Sequence, residues 1–71
     1  MKKGTRMIYD TQNDYDFCKY VENFDEDFSI VQFTSGENNG KEIKVLTAHL
    51  HFDNPGNVMA IYNKYNTDGN K

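Results

Sequence analysis

The sequence predicts an α+β fold, one helix packed on a small antiparallel sheet in the order β-α-β-β-β, and three observations carry that expectation. A run of apolar residues at helical spacing lies between Gln12 and Phe24, two β-type runs flank a turn-rich stretch at 35–40, and the chain has only 71 residues. That length accommodates one small domain, 1–71, with one thin core.

Thr5 to Tyr9 reads as a short strand, followed by Asp10 and Thr11, either of which can cap a helix. From Gln12 onward Phe17, Tyr20, Val21 and Phe24 recur at intervals of three and four, which places them on one helical face with Tyr15, Lys19, Glu22 and Glu26 opposite. Asn13, Asp14, Asp16 and Asn23 are indifferent helix formers, so packing of the Phe face has to hold this helix. Phe28 to Thr34 is rich in β-branched and aromatic residues, and Ser35 to Gly40, ending in Asn39-Gly40, has the chemistry of a hairpin turn. Lys41 to Phe52 is its partner strand, with Leu46, Ala48, Leu50 and Phe52 on one face and Ile43, Val45, Thr47, His49 and His51 on the other.

The last segment has two readings. Asn54-Pro55 can open a helix, and Val58, Ile61, Tyr62 and Tyr65 have amphipathic helical spacing. Alternatively a turn at 53–57 returns a final strand whose register sets Val58, Ala60 and Tyr62 opposite Phe52, Leu50 and Ala48; this continuity of the apolar face favours the strand. Residues 1–4 and 66–71 are expected to be flexible.

Leu, Ile, Val and Phe number 15, a small stock for a core, and the ten aromatics supply the area that the aliphatics lack. One helix covers one sheet face. The other face would then carry Ile43, Val45, Met59 and Ile61, which predicts a homodimer that buries them.

Charge is distributed unevenly. The net charge of -3 divides into +3 over residues 1–6, -6 over residues 10–27 and zero over the remainder. The acids Asp10, Asp14, Asp16, Glu22, Asp25, Glu26 and Asp27, with Tyr15 among them, occupy one quarter of the chain. Such a balance disfavours direct binding to nucleic acid or an anionic membrane and favours a basic partner. Asp25, Glu26 and Asp27 would crowd the end of the expected helix, where the macrodipole opposes negative charge by roughly 0.3 to 1 kcal/mol per acid, so solubility alone is a poor reason for their position.

Chemistry of other kinds has little support. His49 and His51, with Asp53 or Cys18, could contribute to a zinc site, but one cysteine cannot complete a structural set of four ligands, and no metal or other cofactor is expected. Cys18 lies among carboxylates, which oppose a reactive thiolate. The five glycines form no phosphate-binding loop. The expectation is a protein that is not an enzyme. The lone cysteine and the lack of an apolar run of signal length fit the cytoplasm.

The concentrated acidic stretch, the many Asn and Lys residues and the small size resemble the phage-encoded DNA-mimic inhibitors of host DNA-binding proteins, including those aimed at histone-like nucleoid proteins and uracil-DNA glycosylases. The resemblance rests on the seven acids named above and implies an inhibitory binding protein that occupies the DNA-binding site of a basic host protein, in the host cytoplasm. The alternative is a small interaction or assembly module that works through an apolar sheet face, with the acids serving solubility.

Overall fold

The computed structural model describes residues 2–68 and shows an α+β fold with one five-stranded antiparallel sheet and one α-helix. The strands are β1 (Arg6–Asp10), β2 (Tyr15–Asn23), β3 (Phe28–Phe33), β4 (Glu42–Leu46) and β5 (Leu50–Phe52), and the helix α1 is Pro55–Asp68. The fold class agrees with the sequence reading, but the helix lies elsewhere. The segment expected to be helical is strand β2, and the helix forms at the C-terminal segment, where Pro55 is its first residue.

The Asp10-Thr11 chemistry closes a hairpin instead of capping a helix. Thr11 N–H donates to the Asp14 carbonyl, Asp14 N–H donates to the Thr11 hydroxyl, and Gln12 adopts a positive φ of 73° with its N–H held by the Asp10 carboxylate. The turn sets Asp10 against Tyr15 and Arg6 against Lys19. Asn54 caps α1, its side-chain oxygen accepting from Asn57 N–H at 2.8 Å, and Pro55 loses nothing at a position where an N–H has no helical partner. The final strand expected at Val58 to Tyr65 is therefore replaced by helix.

The strand order is β4-β3-β2-β1-β5, so two strands adjacent in sequence, β4 and β5, lie on opposite edges. Leu46 is level with Phe28, and Leu50 is level with Tyr9 and hence Asp16. In a flat sheet these two positions would be about 30 Å apart, from four strand spacings of roughly 4.8 Å and seven residues of roughly 3.3 Å. The residues between them can span at most about 15 Å. The sheet must therefore curl into a partly open barrel, with the 3-10 turn Thr47–His49 crossing its end. A bulge at Val21, between the pairs Tyr20–Val31 and Glu22–Ile30, lets β2 bend enough to pair with β1 in its first half and β3 in its second.

Curling solves the shortage of core. Met7, Cys18, Tyr20, Val31, Phe33 and Val45 fill the interior, with Tyr9, Ile43 and Leu50 packed against them. Ser29, the one polar side chain buried among them, shares a 2.6 Å hydrogen bond with the Thr47 hydroxyl at the corner. Ile8 points to the opposite face of β1 yet is fully buried, because α1 crosses that face and turns Ile61 toward the sheet.

The expected dimer surface is not formed. Val45 is core and Ile43 packs against it, because their partners across β3 are Ser29 and Val31 on the inner face. Ile61 is buried, and Met59 alone of the four is exposed, on a different element. The continuous apolar face expected from Leu46 to Phe52 is also broken by the 3-10 turn, which leaves Leu46 outside the barrel. Of the segments expected to be flexible, 66–68 is the last turn of α1, while Met1 and residues 69–71 lie outside the described residues.

Candidate functional site

The seven acids separate into three environments. Asp10 is buried on the outer face of β1, where it accepts hydrogen bonds from Lys64 Nζ at 2.8 Å, from the Tyr65 hydroxyl and from Gln12 N–H at 2.8 Å. Burial pushes its carboxyl up, but the Lys64, Tyr65 and Gln12 hydrogen bonds and the Lys64 charge outweigh it and hold the group at about 2. Its hydrogen bond raises Lys64 and Tyr65 in turn. Tyr15, which pairs with Asp10 across the hairpin, stacks on Tyr65 with ring centroids 6.2 Å apart. Asp10 and Tyr15 therefore fasten the helix to the sheet and are not a free binding surface.

Asp14 and Asp16 lie at the same end of the barrel. Asp16 sits against Gly36, whose φ of 78° suits a glycine and whose missing side chain leaves room for the carboxylate. Burial raises the Asp16 carboxyl, and the charges of Asp14 and Glu37 raise it further.

Glu22, Asp25, Glu26 and Asp27 occupy the other end. They do not lie on or at the end of a helix, because Glu22 is on strand β2 and the others are in the β2–β3 turn. Asp25 is committed to that turn, accepting from Asp27 N–H and Phe28 N–H at 2.8 Å each. Glu22, Glu26 and Asp27 are exposed, and the one ion pair among the described residues is Lys64–Asp10. Beside them the outer surface is apolar. Phe24 is 57% exposed and Leu46 39%, and Phe28 faces Leu46 across the β3–β4 pairing. The Lys44 ammonium lies 4.7 Å from the Phe24 ring centroid and 4.9 Å from that of Phe28. The apolar component is not legible in the sequence because it joins a turn residue to positions 28 and 46 across two strands.

The histidines do not act together. His49 is in the 3-10 turn with its ring 6.5 Å from that of Tyr9 and near the Gln12 amide, whereas His51 points outward on β5. Among the described residues no group of three His, Cys, Asp or Glu side chains is placed to hold a metal ion. Cys18 is inside the barrel, where burial first and the Asp16 charge second push its thiol up to about 12. A cleft of about 270 Å³ between α1 and the sheet is lined by Asp10, His51, Asn57, Ala60, Ile61 and Lys64, and its carboxylate and ammonium are already paired with each other. No described helix is long and apolar enough to cross a membrane.

No family model matches the chain, and neither does any curated protein or solved structure.

Proposed function

We propose that the protein is an inhibitory binding protein whose working surface is the β2–β3 end of the barrel, where exposed acids and exposed apolar side chains meet, and that its partner is a basic DNA-binding protein. The observation that supports this reading is the juxtaposition of Glu22, Glu26 and Asp27 with Phe24, Phe28 and Leu46 on one outer surface. Carboxylates attract a basic partner over distance and compete with phosphates for its lysines and arginines, and partly exposed phenylalanines provide area whose burial holds the complex. Occupying the partner's phosphate-binding surface would exclude DNA from it. Asp10, Asp14, Asp16 and Tyr15 leave the contact set, the first and last because they anchor α1 and the middle two because they lie at the other end of β2.

The test is capture from a bacterial lysate by the wild-type protein and by a triple variant, Glu22→Lys, Glu26→Lys and Asp27→Lys, which spares the structural Asp25. A basic protein held by the wild type, released by moderate salt and lost with the triple variant is expected. The same protein held by both would refute the reading.

A further inference from the structure

Lys44 is seated on the apolar part of this surface. Its ammonium is held over two rings at once, Phe24 and Phe28, although its place on β4 is exposed and open to water. Phe24 comes from the β2–β3 turn, Phe28 opens β3 and Lys44 lies diagonally across from it, so three segments converge to make the contact. A ring face attracts a cation through its quadrupole, and neighbouring carboxylates reinforce the attraction. The half-exposed Phe24 ring leaves this slot accessible from outside.

We infer that Phe24 and Phe28 form a receptor for an arginine side chain of the partner, with Lys44 as the resident cation that the guanidinium displaces. A guanidinium is planar and weakly hydrated, so it stacks on an aromatic face better than an ammonium does, and the surrounding acids favour a second cation entering as Lys44 swings toward water. This rests on the proposed acidic docking surface and names the side chain that the surface selects.

A hexa-arginine peptide, titrated at low salt and followed by NMR, is the probe. In the free protein the Lys44 ε-methylene protons are expected upfield of a free lysine's, because the ammonium lies over the two rings. Adding hexa-arginine is expected to return them toward the position of a free lysine while the peptide's own δ-methylene protons move upfield. Phe24→Leu, which keeps apolar area and removes the ring, is expected to weaken hexa-arginine binding by about two- to fivefold. Binding with unmoved Lys44 resonances, or equal affinity in Phe24→Leu, overturns the inference while leaving the acidic surface intact. No binding by the wild type, with the Glu22, Glu26 and Asp27 carboxylates all present, overturns both.

Discussion

Replacing Asp10 by Asn removes the charge that fastens α1 to the sheet while keeping the shape of the side chain. In the native protein the Asp10 carboxyl is held at about 2, from an ordinary 3.8. A displacement of that size is linked to at most about 2.4 kcal/mol at neutral pH, using roughly 1.4 kcal/mol per pH unit. The Lys64 side chain is 55% exposed, so water screens the pair, and about 1 kcal/mol is the realistic share. Because the folded carboxyl titrates below the unfolded one, this stability is complete above about pH 4 and is lost as pH falls toward 2. Asp16 works in the opposite direction, since its raised carboxyl is relieved by protonation. Comparing wild type with Asp10→Asn isolates the Asp10 contribution. Urea unfolding at neutral pH should show the variant less stable by about 1 kcal/mol, with a thermal midpoint lower by about 4 to 8 °C. The difference between the two proteins should shrink between pH 4 and pH 2. Equal stability at neutral pH, or a gap that stays constant down to pH 2, would refute the role assigned to the carboxylate.

Cys18 should resist a thiol reagent at pH 8 in the native state and react at the rate of a free thiol in denaturant, since burial keeps its thiol protonated up to about pH 12; rapid native labelling would mean that the barrel opens. Asn54→Ala should cost about 1 kcal/mol by leaving Asn57 N–H without its cap, read as a loss of helical circular dichroism before the sheet signal changes. A variant as stable as wild type would show that docking alone fixes the helix start.

The hairpin between β3 and β4 was legible in the sequence because its signals are local. Gly36 and Gly40 both take the positive φ that the turn chemistry suggests, and the strand begins at Phe28 as expected. Strand β2 carries helix-like spacing for a physical reason. Residues 15–18 at its start are at least partly covered on both faces, Cys18 by the barrel interior and Tyr15 by Tyr65 of α1 with Phe17 beside it, so the alternation of a half-buried strand is missing. The bulge at Val21 then shifts the phase, and the apolar residues come to mimic helical spacing. The poor helix formers Asp14, Asp16 and Asn23 were the counter-signal. In the C-terminal segment Asn54-Pro55 carried the correct information, while the matching register of a final strand was a coincidence. The acidic stretch is visible as composition, but its division into a buried anchor at Asp10, the pair Asp14 and Asp16 at the same end and the exposed acids at the other end depends on which strands meet, and that is a property of the curled sheet.

The proposed function is competition with DNA for one surface of the partner. With the captured basic protein in hand, its affinity for the wild-type chain should be measured by titration at several salt concentrations, with and without duplex DNA carrying that protein's binding site. Competition predicts affinity that falls steeply as salt rises and a complex that saturating duplex dissociates. A ternary complex in which duplex and protein bind the partner together, at an affinity indifferent to salt, would contradict it.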